Sequence, residues 1–281
     1  MNFHSDNALD QIPVKAVLKS VVEIARQAGE AILTIYNSVE SINVTMKSDN
    51  SPLTAADLTA NRIICDGLGA LLPGVPVLSE EAEIPGYEER SSWRRYWLVD
   101  PLDGTKEFIQ RNGEFTVNIA LIENGVPVMG VVYVPVKRIS YWGGQGLGAF
   151  KCENGVEAAI QTCKLQDGKP VTVVASRRHG VDALTKLLGR VTGKFNSVEI
   201  LNIGSSLKLC LVAEGVADFY PRMAPTSEWD TAAAQAIVEA AGGRVVDDNL
   251  SVLRYNMKAD LLNPYFYVIG DTEYDWPGVL A

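Results

Sequence analysis

Two carboxylates three positions apart, Asp100-Pro101-Leu102-Asp103, followed at once by Gly104 and Thr105, are the residues of this chain best suited to chemistry. The apolar run Tyr96 to Val99 before them predicts a buried strand, which Pro101 should end because it has no N–H to donate. Gly104 permits the tight backbone that lets a small ligand come close. Carboxylates converging at a strand end repel one another unless a cation lies between them. Oxygen donors of this kind suit Mg²⁺, which is usually held by few carboxylates plus substrate phosphate. Taken alone, the pattern reads more readily as an acidic turn after a core strand.

Further acidic residues reverse that preference. Asp57 lies in the first turn of a helix announced by Thr54-Ala55-Ala56-Asp57, a capping-box variant, and a cap role alone would account for it. Glu80 follows the strand-like Val77-Leu78 and, with Glu81, could be a solvated acidic edge. Asp230 stands at the expected start of the alanine-rich helix Glu228 to Ala241, where Ala232, Ala233 and Ala234 permit close packing. Each ordinary reading is adequate singly. Their coincidence in one chain argues for a polynuclear Mg²⁺ site, where one metal activates water and another stabilises the leaving oxygen. Competing chemistry is absent. With only His4 and His179, and no CxxC pair among four cysteines, a zinc site is not expected. No phosphate-binding GxxxxGK[ST] loop occurs, and Gly144 to Ala149 lies between strand patterns, so it reads as a glycine-rich hairpin rather than a dinucleotide loop.

The elements that must position these residues are legible as periodicity. Val14, Val17, Leu18, Val21, Val22, Ala25, Ala28, Ile32 and Ile35 recur at three and four, predicting a long amphipathic helix from Pro13 to about Asn37. A short extended stretch (Ile42 to Met46) precedes the helix starting near Thr54. Strands are expected at Phe115 to Ile122, Val128 to Tyr133 and Ile139 to Trp142, forming an antiparallel sheet with helices on one side. Beyond a polar stretch at Gln161 to Pro170 the rhythm becomes α/β: strand Val171 to Ala175, helix Val181 to Leu188, strand Ser197 to Leu201, helix Ser205 to Glu214, strand Ala217 to Tyr220, the alanine-rich helix, and strand Arg244 to Val246. The organisation expected is a polar tail (1–12), an α+β metal-binding domain (13–165) and an α/β substrate-binding domain (166–281).

The chain of 281 residues is 47% apolar and 21% charged, ample for packed cores. A formal net charge of −9 argues against nucleic acid as a partner, though not against a small phosphorylated ligand, because bound Mg²⁺ inverts the local charge. No apolar run approaches the roughly 20 residues that span a bilayer, and the first residues carry no signal-peptide pattern. Cys65 and Cys210 fall in helical apolar patterns, as small core hydrophobes do, so a reducing cytoplasm is the expected compartment.

Leu78-Ser79-Glu80-Glu81, Asp100-Pro101-Leu102-Asp103-Gly104-Thr105 and Trp229-Asp230-Thr231-Ala232-Ala233 resemble the signatures of the inositol monophosphatase superfamily, Mg²⁺-dependent, lithium-sensitive phosphomonoesterases. The longer pieces Trp97 to Ile109 and Arg111 to Ala120, with Ser205-Ser206-Leu207-Lys208, resemble its 3'(2'),5'-bisphosphate nucleotidase branch. The likeness runs from about Val14 to Tyr267. It implies an α/β (α+β) protein with the layered αβαβα sugar-phosphatase fold and two or three Mg²⁺ ions inhibited by Li⁺. It further implies that Glu80, Asp100 and the Leu102 carbonyl hold one Mg²⁺, and Asp100, Asp103 and Asp230 a second. Thr105, with Asp57 or Glu80, would orient the attacking water, and the Gly104 and Thr105 N–H groups would receive the scissile phosphate.

The second half supplies basic and polar groups. Ser176-Arg177-Arg178-His179 follows a buried strand at the end where α/β ligands bind. Gly204-Ser205-Ser206 opens a helix, and free N–H groups there would suit a phosphate. Lys208 in that first turn opposes the helix dipole, which a bound anion would offset; Arg222 follows the strand Phe219-Tyr220. The ordinary reading of each is a solvated surface base. The resemblance implies that His179, Ser205, Lys208, Arg222 and Asp230 bind the substrate, adenosine 3',5'-bisphosphate or 3'-phosphoadenylyl sulfate. An inositol monophosphatase or sugar bisphosphatase is the alternative within the superfamily, and a catalytically silent nucleotide or metal sensor the alternative outside it. The same likeness places the chain in the cytoplasm and leaves peripheral attachment to the inner membrane open; nothing in the chain specifies an oligomeric state.

Overall fold

The computed structural model describes residues 14–38, 44–47, 52–166, 169–175, 187, 189, 191, 193, 195 and 197–280. The three-and-four stripe of the first helix becomes α1 (Val14–Tyr36), with Val17, Leu18, Val21, Ala25, Ala28 and Ile32 buried. After the ribbon β1 (Val44–Met46) and β2 (Pro52–Thr54), Thr54 caps α2 (Ala55–Leu71). Both helices lie on one face of a seven-stranded sheet.

That sheet runs in sequence order: β3 (Val77–Ser79), β4 (Arg95–Asp103), β5 (Thr116–Glu123), β6 (Val126–Val134), β7 (Ile139–Gly144), β8 (Gly148–Glu153) and β9 (Val156–Ile160). All its pairs are antiparallel except β3 with β4, which is parallel and is joined through the single turn α3 (Tyr87–Arg90). The second sheet has the order β11 (Val198–Asn202), β10 (Val171–Ala175), β12 (Phe219–Arg222), β14 (Phe266–Ile269), β13 (Arg244–Asp247). Its first three strands are parallel, and β14 is antiparallel to both neighbours.

Side-chain alternation along the strands assigns each residue to one of three cores. Trp97 and Val99 of β4 and Ile119 and Leu121 of β5 pack with α1 and α2. Tyr96, Leu98, Ala120 and Ile122 face the opposite way, onto α5 (Leu207–Ala213) and α6 (Ala232–Ala240), which also meet Val174, Tyr220, Val245 and Phe266 of the second sheet. The far face of that sheet, with Val173, Phe219, Val246 and Tyr267, carries Leu187, Val191 and Val279 of α7 (Pro277–Leu280). The result is the five-layered αβαβα arrangement.

Helices therefore cover both faces of the first sheet, not one side as its strand pattern suggested. Strands buried on both faces become near-continuous apolar runs, as Val128 to Val134 shows. Close approach of α6 depends on small residues: a Cβ on Gly130 would stand 1.9 Å from the Ala233 carbonyl oxygen. The Gly144 to Ala149 stretch is the β7–β8 hairpin, as expected. Strands β8, β9 and β14 had no counterpart in the sequence reading. The alanine-rich helix begins later than Glu228: a 3₁₀ turn, Glu228–Asp230, comes first. Apart from Leu187, the expected helix from Val181 to Leu188 lies outside the described residues, as do the 1–12 tail and Ile42. Among the described residues no helix is long and apolar enough to cross a membrane.

Candidate active site

Pro101 does not end its strand. β4 pairs with β5 at Asp100 opposite Asn118, loses register, and resumes at Asp103 opposite Thr116. A bulge is where a strand tolerates proline, since the unpaired residue needs no ladder bond. The bulge turns Asp100 inward, where its Oδ1 accepts from the Leu102 N–H at 3.0 Å. Gly104 then reverses the chain at φ +99°, a conformation that L side chains rarely adopt, and starts the short helix α4 (Thr105–Ile109).

Parallel pairing of β3 with β4 brings Glu80 beside Asp100; the Glu80 N–H donates to the Val99 carbonyl at 3.1 Å. Asp230 arrives from the 3₁₀ turn, with Oδ2 accepting from the Ser227 N–H at 2.9 Å. One carboxylate oxygen each from Glu80, Asp100 and Asp230 lies within 4.8 Å of the other two. Burial, then repulsion by neighbouring carboxylates, holds Asp100 and Asp230 well above the usual carboxylate range. Burial also raises Asp103 to about 6, against the pull of Lys208. Carboxylates so placed ionise together only around a cation, and an all-oxygen donor set is the kind Mg²⁺ takes. Asp103 stands beside this group, with Oδ2 accepting from the Ser206 N–H at 2.5 Å.

Lys47, which carried no signal in the sequence, reaches the same cluster. Its Nζ donates to Glu80 at 2.8 Å and to Glu81 at 2.5 Å. Thirty-three residues separate Lys47 from Glu80, so only the fold of the β1–β2 ribbon pairs them.

Asp57 caps α2 and also bonds Thr105. Its Oδ2 accepts from the N–H and hydroxyl of Thr54, at 2.8 and 2.5 Å, which closes the helix start. Its Oδ1 accepts from the Thr105 hydroxyl at 3.1 Å. Burial raises the Asp57 carboxyl, and the Thr54 and Thr105 donors oppose that rise. The dyad expected from the resemblance is thus assembled with Asp57; the Leu102 carbonyl lies 3.4 Å from the same hydroxyl.

A cleft of about 340 Å³ holds Glu80, Asp100, Leu102, Asp103, Thr105 and Asp230. It adjoins a pocket of about 140 Å³ lined by Ser205, Lys208, Tyr220 and Arg222, the two sharing Asp103, Gly104 and Asp230. Lys106, not singled out beforehand, lines both. Lys208 is no solvated base: it is buried, its Nζ donates to the Ser205 carbonyl at 2.7 Å, and burial lowers it to about 8. The N–H groups expected to be free at the start of α5 are taken, Gly204 by Glu114 at 2.8 Å and Ser206 by Asp103. Arg222 ends β12 rather than following it, and donates to the carbonyls of Ala224 and Pro225. Arg177, Arg178 and His179 lie outside the described residues.

A layered αβαβα body with a buried acidic cluster where β3, β4 and the Asp230 turn meet defines a class of phosphatase scaffold. The chain belongs to the inositol monophosphatase family, whose model matches residues 14–267. It is 51% identical over 252 residues to the 3'(2'),5'-bisphosphate nucleotidase CysQ of Salmonella typhimurium, covering 90% of this chain and 99% of that one. A crystal structure of CysQ from Bacteroides thetaiotaomicron superposes with a TM-score of 0.80 at 44% identity, covering 92% and 98% of the two chains. The inositol monophosphatase of Anabaena shares the fold, with a TM-score of 0.74 at 24% identity and 95% of each chain covered.

Proposed function

We propose that this protein is a Mg²⁺-dependent phosphomonoesterase that removes the 3'-phosphate of adenosine 3',5'-bisphosphate, and that of 3'-phosphoadenylyl sulfate. The carrying observation is the juxtaposition of the buried Glu80–Asp100–Asp230 cluster with a pocket holding Lys208 and Arg222. Half-identity to bisphosphate nucleotidases over nearly the whole chain supports the same reading. Glu80, Asp100 and the Leu102 carbonyl would hold one Mg²⁺, and Asp100, Asp103 and Asp230 a second. Bound there, the metal lowers the pKa of water and neutralises charge on the leaving oxygen.

The chain's own groups do the rest. Thr105, fixed by Asp57, orients the water and passes its proton toward the Asp57 carboxylate. The Gly104 and Thr105 N–H groups receive the scissile phosphate at the turn that φ +99° makes possible. Lys208, Arg222 and Ser205, with His179, hold the nucleotide and its unreactive 5'-phosphate. Residues 13–165 supply most of the metal-binding groups and 166–281 most of the substrate-binding groups, with Asp230 joining the metal cluster from the second half. The described cysteines are all free, which supports a reducing cytoplasm as the compartment.

Phosphate release from adenosine 3',5'-bisphosphate, inositol 1-phosphate and fructose 1,6-bisphosphate, with and without Mg²⁺, tests the reading. The bisphosphate nucleotide should be hydrolysed fastest and only with metal. Preference for inositol 1-phosphate or the sugar would reassign the substrate within the family, and no turnover of any would leave a binding protein.

A further inference from the structure

Arg90 ends α3, ten residues beyond Glu80, and is 1% exposed. Burying a guanidinium is costly unless its donors are matched. Its Nη1 donates to the Asn256 side-chain oxygen, and its Nη2 to the carbonyls of Lys258 and Ala259. The Asn256 amide returns a bond to the Arg90 carbonyl at 2.6 Å, closing a reciprocal pair. The guanidinium also lies 5.0 Å from the centre of the Tyr87 ring.

From Asn256 the network reaches the turn that carries Asp230, through Glu228 two residues before it. The Asn256 N–H donates to the Glu228 carboxylate at 2.7 Å, and the Glu228 N–H donates to the Leu261 carbonyl at 2.8 Å. Glu228, itself buried, is the first residue of the 3₁₀ turn whose third residue is Asp230. Arg90 therefore joins the segment that leaves Glu80 to the loop 256–261 that carries the Asp230 turn. Among the described residues, no backbone strand pairing ties those two segments to each other.

We propose that Arg90 is a positioning residue that holds the Asp230 turn in place against the strand-fixed Glu80, and through it sets the Mg²⁺ affinity, without touching metal or substrate. The inference rests on reading the carboxylate cluster as a Mg²⁺ site. Mg²⁺ demands near-ideal octahedral geometry at short oxygen distances, so a small displacement of one ligand weakens binding. The planar fork of arginine spans three loop oxygens at once, which the point charge of lysine does not reproduce.

Isothermal titration of Mg²⁺ into the folded protein, free of substrate, reads this directly for wild type, Arg90→Lys and Asn256→Ala. Each variant should bind Mg²⁺ about tenfold more weakly, the lower end of the loss seen when a direct partner of a metal ligand is removed. The Mg²⁺ concentration for half-maximal turnover should rise in parallel, with the substrate KM at saturating Mg²⁺ changed by less than about twofold. A purely structural arginine would lower the melting temperature and leave Mg²⁺ affinity unmoved. Wild-type-like affinity in Arg90→Lys, or in Asn256→Ala should the first not fold, overturns the proposal. Wild-type protein that binds no Mg²⁺ would instead overturn the reading of the cluster, and the inference with it.

Discussion

Asp100 is the residue on which the acidic cluster converges, and its environment dictates how it should respond. On the proposed reading Asp100→Asn removes a ligand shared by two metals, a loss of several kcal/mol and about a thousandfold or more in turnover. The folded protein should persist, because Asn replaces a carboxyl that burial and neighbouring carboxylates already push toward its neutral form. Stability of the metal-free protein carries the same signature. Asp100, Asp103 and Asp230 are all raised above the unfolded value near ~3.9, so the folded state retains protons that the unfolded state releases. The stability that these groups contribute is complete below about pH 4 and is lost as pH rises through the folded values, past about 6 for Asp103. Thermal melts of metal-stripped protein should therefore fall from pH 5 to 8, with a shallower fall in Asp100→Asn. A flat profile in wild type would contradict the burial of these carboxylates. Lys208 makes the second residue-scale prediction. Gripping a phosphate that does not react, it should contribute equally to ground and transition states, so Lys208→Ala raises KM about ten- to a hundredfold with kcat nearly unchanged. Inositol 1-phosphate, lacking the second phosphate, should be far less affected; equal losses on both would remove Lys208 from the 5'-phosphate.

At the scale of elements, the site depends on how closely α6 seats against the first sheet. Gly130 lets the helix backbone lie directly on β6, and the Asp230 turn is continuous with the start of α6. Gly130→Ala places a Cβ inside contact distance of a backbone oxygen that no rotamer change can move. Overpacking of this kind costs about 3 kcal/mol or more. Urea unfolding should show that loss, and the displaced helix should carry Asp230 out of register, so activity falls further than a surface substitution of equal stability cost. The β4 bulge is the other decisive element. The apolar strand before Asp100 was legible as a run of four residues, and Pro101 looked like its end. The chain instead continues because the unpaired proline sits in a bulge, where its missing N–H costs nothing.

For the whole molecule, the cluster couples metal binding to folding. Apposed buried carboxylates destabilise the metal-free fold, and on the proposed reading Mg²⁺ would relieve them only when β3, β4 and the Asp230 turn are assembled. Mg²⁺ at a hundred times its dissociation constant should add about 2.7 kcal/mol to stability, visible as a raised melting temperature that EDTA reverses. Na⁺ at equal ionic strength should not reproduce it. Li⁺ at millimolar concentration should inhibit turnover in the presence of Mg²⁺, and complete indifference would count against the proposed metal arrangement.

Local pattern carried a good deal by itself. Three-and-four spacing marked α1, the Thr54–Asp57 box marked the start of α2, and alternation or apolar runs marked β5, β6, β7 and β10 to within a residue or two. These are short-range effects, set by side-chain period and capping, so they survive in the linear chain. The motifs around Glu80, Asp100 and Asp230 were visible for the same reason. What the chain could not show were the long-range pairings. Lys47 with Glu80, Arg90 with Asn256 and Ser206 with Asp103 are separated by 33, 166 and 103 residues. Strands β8 and β9 lie at the sheet's mostly exposed edge, and β14 is a four-residue strand within an irregular loop region, so none had enough periodicity to stand out. Only the stacking of five layers decided which carboxylates meet, because burial and repulsion between them exist solely in the assembled protein.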